Sequence, residues 1–229
     1  KRQDRSLQVS FPAYDLYVDA VPARPYRDGQ TWEIPQKGDD DEWLRTNPEG
    51  LTALSSAMNA VHDGFYVPTV KLLRQTRRTL LGKGKPGGFF IEVAAYQAFG
   101  SGRVSGDDQA GYYVSALQEI SQIINNFVTY GLEVNDPTLP GHSISIRATE
   151  DELDSARTCF ADAALSACDA LAEQDEGKAA LIFQKLLGNN GDGDTVFLMP
   201  PGFDKDGTKR ASVISAGARI VPAGPRTFG

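Results

Sequence analysis

The chain has 229 residues, a net charge of −7 and a hydrophobic fraction of 41%, with a mean hydropathy of −0.32. This is the composition of one large or two small globular domains, and it excludes collagen, coiled coil and wholesale disorder. The acidic balance argues against extended nucleic acid as a partner, and no apolar run approaches the roughly 18 residues of a membrane helix, so no membrane is expected either.

Nothing at the start of the sequence has the cationic-apolar pattern of a secretion leader. Cys159 and Cys168 lie nine residues apart in one helical stretch. That suits reduced core thiols in a cytoplasmic protein rather than a disulfide framework. Leu7, Val9 and Phe11 alternate with polar residues, which predicts a strand over 6–11. A Pro12-Ala13 turn leads to a second strand over 14–21, stopped by Pro22. A lone hairpin is marginal in water, so further strands are expected to complete a mixed sheet. Residues 24–46 read as irregular, with short strand structure around Thr31-Trp32-Glu33-Ile34; Asp39-Asp40-Asp41-Glu42 reads as a solvated loop.

From Thr46 onward the pattern is helical. Thr46-Asn47-Pro48-Glu49 supplies a polar cap, a first-turn proline and an early acid for a helix running to 61. Further helices are predicted over 68–81, 89–99 and 107–131, the last with Leu117, Ile120, Ile123, Ile124 and Phe127 on one face. After a polar connector over 133–148, Thr149 and Glu152 form a capping box for a fifth helix carrying Leu153, Ala156, Phe160, Ala163, Ala164 and Ala167. A sixth covers 177–187. Residues 189–229 are rich in Gly, Pro and Asp and read as a flexible tail, with local docking around Val196-Phe197-Leu198-Met199.

Three features carry chemistry. Asp19, near the end of the second strand, shares a face with Asp15, Tyr17 and Val21. A carboxylate there can hold a hard cation, and phosphoryl transfer uses two or three such groups around cations about 3.5–4 Å apart; a solvated strand-end aspartate is the alternative. Between Phe65 and Ile91 no acid occurs, while Lys71, Arg74, Arg77, Arg78, Lys83 and Lys85 do. Lys71, Arg74 and Arg78 follow helix spacing and form one stripe beside the apolar stripe of Val70, Leu73 and Leu81. Arg offers a forked contact to triphosphate and Lys a point charge, whereas a solvated helix face would need neither. Gly87-Gly88 opens a helix with amides free for phosphate, or merely makes the turn. His62 and His142 are too isolated for zinc. Trp32 and Trp43 suit core or hinge packing better than a pocket wall.

In order, these segments resemble the C-terminal two-thirds of a bacterial cyclic oligonucleotide synthase, a member of the cGAS/DncV-like nucleotidyltransferases (CD-NTases). Val18-Asp19-Ala20-Val21-Pro22-Ala23 resembles the strand with the third catalytic carboxylate. Trp32-Glu33-Ile34-Pro35 and Trp43-Leu44-Arg45-Thr46-Asn47-Pro48 resemble the approach to the helical lobe. Pro68-Thr69-Val70-Lys71-Leu72-Leu73-Arg74-Gln75 resembles the triphosphate-binding helix, and Gly88-Phe89-Phe90-Ile91-Glu92 the serine-aromatic-x-aliphatic-glutamate helix start. Val134-Asn135-Asp136-Pro137 and the helices through Leu187-Gly188 complete the match.

The resemblance implies an α+β fold, mostly α in this chain. The last strands of a polymerase-β-like nucleotidyltransferase sheet (1–46) would pack on an oligoadenylate-synthetase-like helical lobe (47–188), followed by a flexible tail (189–229). It implies synthesis of cyclic di- or oligonucleotides from ATP, GTP or pyrimidine triphosphates for anti-phage signalling. Asp19 would be the catalytic and metal residue for Mg2+ or Mn2+, facing across a crevice toward Lys71, Arg74 and Gly88 as the nucleotide-binding residues. An earlier Gly-Ser loop and an Asp-x-Asp pair on an adjacent strand are expected upstream, in a longer protein, and residues 1–229 alone are expected to be inactive. Gly88 stands where a serine is usual and Arg74 where a lysine is usual. The resemblance further implies an E1/E2-like conjugating enzyme, or another defence-operon protein, acting on the tail at Gly229. A non-catalytic helical nucleotide-binding or scaffold module is the alternative, as is a linear or RNA-modifying nucleotidyltransferase.

Overall fold

Alternating residues at the start of the chain form a hairpin in which β1 (Leu7–Phe11) pairs antiparallel with β2 (Leu16–Ala20), Gln8 standing opposite Asp19. The computed structural model describes residues 6–36 and 43–210. A 3-10 turn over Pro12–Tyr14 joins the strands, and Asp15 closes it in the left-handed conformation, at φ 47°. A second antiparallel sheet follows, in the order β3 (Arg24–Pro25), β4 (Trp32–Pro35), β5 (Trp43–Thr46). The described strands thus make two small antiparallel sheets. The sequence pattern missed β5, whose Trp43-Leu44-Arg45-Thr46 run looks like a lead-in to a helix. Only its partner β4 makes it a strand, through the register Trp32↔Thr46 to Pro35↔Trp43.

The β3–β4 turn is organised by Asp28, whose Oδ1 accepts from the Gln30 and Thr31 amides, each at 2.9 Å. Arg45 of β5 donates to Asp28 and Thr31 and lies 4.4 Å from the centre of the Tyr26 ring. Trp43 lies beneath the Arg24 guanidinium at 4.0 Å, and Trp32 Nε1 donates to Glu49 at 3.1 and 3.2 Å. Trp32 therefore ties the sheet to the first turn of the helical region, as hinge packing predicts.

Six helices follow: α1 (Pro48–Val61), α2 (Tyr66–Leu81), α3 (Gly88–Gly100), α4 (Gln109–Tyr130), α5 (Glu150–Ala172) and α6 (Glu176–Leu187). α1, α4, α5 and α6 start where polar caps stand. Asn47 Oδ1 accepts from Gly50 N at 2.9 Å, Asp108 Oδ1 from Gly111 N at 2.8 Å, and Thr149 and Glu152 bond reciprocally. α3 has no such cap, and it is the helix buried most nearly all round: Phe90, Ile91, Val93, Ala94, Ala95, Ala98 and Phe99 are all in the core. A helix apolar on every side belongs inside, and α1, α2 and α4 pack around this one. The alanine face of α5 (Ala156, Ala163, Ala164, Ala167 and Ala170 buried) lets its backbone come close to α4, the most extensive helix pair.

Cys159 and Cys168 are free and half-buried on α5; Cys168 packs against the core, as expected of a core thiol, and Cys159 does not. Leu81, placed on the buried stripe by spacing, is half-buried as well. Residues 189–210 lie against α6: the Phe197 ring stacks on Phe183 with centroids 5.1 Å apart, and Gln184 Nε2 donates to Phe197 O at 3.0 Å. The acidic run 39–42 and residues 211–229, with Gly229, lie outside the described residues. No described helix is long and apolar enough to cross a membrane.

Candidate functional site

The spacing of apolar residues sets the orientation of α2. Tyr66, Thr69, Val70, Leu73 and Thr76 are buried, which leaves Lys71, Arg74 and Arg78 exposed on the other side. The chain then turns through 82–87 and re-enters as α3 at Gly88. That turn is held by one side chain. Arg77 donates from Nε to Pro86 O at 2.8 Å, from Nη1 to Gly82 O at 2.9 Å and from Nη2 to Gly84 O. Burial pushes the pKa of its guanidinium down. Arg77 is therefore committed to the protein, although it belongs to the same basic run as its neighbours.

The turn brings the start of α3 against the basic side of α2 and leaves a cleft of about 410 Å³ lined by Lys71, Arg74, Gln75, Arg77, Arg78 and Gly88. Its lining holds four cationic side chains and no carboxylate. Arg74 Nη1 pairs with Glu92 at 3.3 Å. Lys71 and Arg78 have no ion-pair partner among the described residues. Beside the cleft, Gly87 begins α3 without a side-chain cap, so the first amides of the helix have no competing side-chain acceptor. Such a hollow is chemically suited to a compact polyanion.

Lys71, Arg74 and Gly88, picked from the sequence, thus meet in one place. Arg78 of the basic stripe joins them. Gln75 and Arg77 line the same cleft without having been singled out as ligands. Gln75 stands four residues after Lys71 and three before Arg78 and could have been found by that spacing; the loop contacts of Arg77 leave no mark in the sequence.

Asp19 is not among the residues that line this cleft. It sits on β2, exposed, in a hairpin whose large apolar side chains (Leu7, Val9, Phe11, Leu16, Tyr17 and Val18) are exposed on both faces. Neither face is covered by other described residues, so the alternation that put Asp19 on one side finds no buried counterpart. Asp19 offers a single hard oxygen donor of the kind Mg2+ or Mn2+ takes. Among the described residues, no three or more His, Cys, Asp or Glu are gathered to hold an ion. His62 packs edge-on against Phe99 at 4.8 Å, as an aromatic core partner rather than a ligand. Further along α3, half-exposed Phe89 lies between two smaller hollows. One is lined in part by Lys85 and Arg147, the other by Leu44, Asp136 and His142.

The chain is a mostly helical α+β fold with a cationic cleft at the meeting of two helices, and comparison with known proteins shows what it is similar to. The chain is 29% identical over 190 residues to the cyclic AMP-AMP-AMP synthase of Acinetobacter sp. (strain ATCC 27244 / 9458), covering 81% of this chain and 53% of that protein. No protein-family model matches it. Among solved structures, CdnC of E. coli MS115-1 with ATP is similar at a TM-score of 0.64 and 18% identity, over 82% of this chain and 64% of that one. GTP-bound DncV of Vibrio cholerae is similar at a TM-score of 0.64 and 12% identity, over 82% and 51%. At these identities the solved structures define the fold. The resemblance to CD-NTases read from the sequence holds, and the fold is theirs. The chain spans about half the length of the curated relative it matches.

Proposed function

We propose that this chain forms the triphosphate-binding part of a nucleotidyltransferase that joins nucleoside triphosphates into cyclic di- or oligonucleotides in the cytoplasm, in anti-phage signalling. The observation that carries the reading is the cleft in which Lys71, Arg74 and Arg78 converge on Gly88 with no carboxylate in the lining. In this reading Lys71 contributes a point charge and Arg74 a fork to the phosphoryl oxygens of ATP, GTP or a pyrimidine triphosphate. Asp19 would hold Mg2+ or Mn2+ together with two carboxylates from residues outside this sequence. Bound there, the cation would lower the charge cost of attack by a ribose hydroxyl on an α-phosphate, with pyrophosphate leaving.

The test uses the full-length protein with Mg2+ and mixed nucleoside triphosphates, with chromatographic separation of products. Cyclic product from the wild type, lost in Asp19→Ala with the fold intact by circular dichroism, is the expected result. Normal turnover by Asp19→Ala overturns the role of that residue. Triphosphate binding without any product would favour a non-catalytic nucleotide-binding module. Linear product would favour a linear nucleotide polymerase.

A further inference from the structure

Arg74 and Gly88 are in contact in a way that makes each depend on the other. A Cβ added to Gly88 would stand 3.3 Å from Arg74 Nε, 3.7 Å from Nη2 and 3.9 Å from Cζ. The guanidinium therefore lies over the first turn of α3, where a side chain at position 88 would be. It is held from the other side by Glu92, four residues on and so on the same face of the helix, through Nη1 at 3.3 Å. Nε and Nη2 make no hydrogen bond to any described residue, although Arg74 borders a cleft with three other cations.

We infer that Gly88 is a positioning residue for the anion cleft: its missing side chain lets the Arg74 guanidinium lie across α3 with Nη1 tethered to Glu92 and Nε and Nη2 left as a fork for a phosphoryl group. This rests on reading the cleft as the triphosphate site. Backbone geometry does not require glycine here, because Gly88 is not among the residues with positive φ. Alanine fits the backbone and is the better helix former. A purely structural role would therefore make Gly88→Ala harmless. A Cβ at 3.3 Å from a flexible side chain can be accommodated, but only by moving the guanidinium, and a bidentate contact is lost by small displacements.

The experiment is a double-mutant cycle on the full-length protein, with inorganic triphosphate as the probe and calorimetric affinity and thermal midpoint as the readouts. Gly88→Ala is expected to weaken triphosphate binding by roughly tenfold, the size of one charge-assisted bond, with an unchanged or higher thermal midpoint. Gly88→Ser should behave alike or worse. In the Arg74→Ala background the same Gly88→Ala change should cost no further affinity. If Gly88→Ala leaves affinity intact, or costs the same with and without Arg74, the positioning role is overturned while the triphosphate site stands. If the wild type binds no triphosphate, both fall.

Discussion

Gln75 on α2 donates its side-chain amide to the carbonyls of Leu187, at 2.6 Å, and Asn189, at 2.9 Å, at the end of α6. Thr79, one turn further along α2, donates its hydroxyl to the same Leu187 carbonyl at 2.9 Å. The last carbonyls of a helix have no partner within it. Here α2 supplies the donors, so one wall of the cationic cleft is joined to the C-terminal end of the helical lobe. Gly188 makes the junction possible: its φ is 59°, and an added Cβ would stand 2.8 Å from Thr79 Oγ1.

Gly188→Ala meets two obstacles at once, a backbone conformation that L side chains rarely adopt and a clash with Thr79. It is expected to destabilise the protein by about 2–4 kcal/mol in urea unfolding. Gln75→Ala, which leaves two carbonyls without this donor but strains nothing, should cost less, about 1–2 kcal/mol. The reverse order would mean that the junction is set by the amide and not by the glycine.

Arg77→Met removes three N–H donors from the turn that delivers Gly88 to the cleft. The loss is expected to be about 2–4 kcal/mol, because the carbonyls of Gly82, Gly84 and Pro86 are left without their partner. Arg77→Lys should recover little, since one ammonium cannot reach three diverging carbonyls as a planar fork does. Amide exchange over 82–87 is the local readout. Exchange there that is no faster than in the wild type would show that the turn holds without its clamp.

Helices α1 and α5 were legible because they carry their own punctuation: Asn47 and Thr149 cap where the sequence places caps, and Gly131 and Gly188 stand just past the ends of α4 and α6, while the cap of α4 is Asp108, inside the span predicted for that helix. α2 begins two residues before its proline, at Tyr66, because aromatic burial and not a capping side chain fixes its start. β5 was not legible, since only pairing with β4 makes four residues a strand. The cleft was half legible. Helix spacing gathers Lys71, Arg74 and Arg78 on one side of α2, and Gly88 follows from its place at a helix start. What no spacing encodes is that Arg77, one residue from Arg78, turns the other way into backbone carbonyls, or that the Arg74 guanidinium lies over Gly88. The partner of Asp19 is not given by alternation either, because both faces of its hairpin are exposed.

Arg78 stands seven residues after Lys71, about 10 Å along the helix axis, at the far end of the cleft from the point charge at Lys71. If both ends of a triphosphate are held, Arg78→Ala and Lys71→Ala should each weaken inorganic triphosphate by roughly fivefold to tenfold, as expected for one charge in a partly screened cleft. Both variants should also show a shallower fall of affinity with added salt than the wild type. Titration calorimetry at low and high ionic strength checks this. A wild-type affinity indifferent to salt would remove the electrostatic basis of the cleft.

Tyr113 OH lies 2.7 Å from Thr76 Oγ1 inside the core, and Thr76 directs its own proton to Leu72 O at 3.0 Å, so Tyr113 is the donor of the pair. Burial pushes its pKa up from 10.0 to about 12, and burial does the same at Tyr66. Below pH 10 both states keep their phenol protons, and the stability these groups contribute is fully present. As the pH rises from 10 toward 12 the unfolded chain gives up its protons first, and that contribution drains away. Two pKa units correspond to about 3 kcal/mol per tyrosine at the limit. In Tyr113→Phe the loss over this window should shrink by about half, while at neutral pH the variant is about 1 kcal/mol less stable for want of the hydroxyl pair. The difference in unfolding free energy between wild type and Tyr113→Phe, measured in urea from pH 8 upward, should therefore narrow and then change sign. A constant difference across that range would mean that the buried phenol titrates as it does in the unfolded chain.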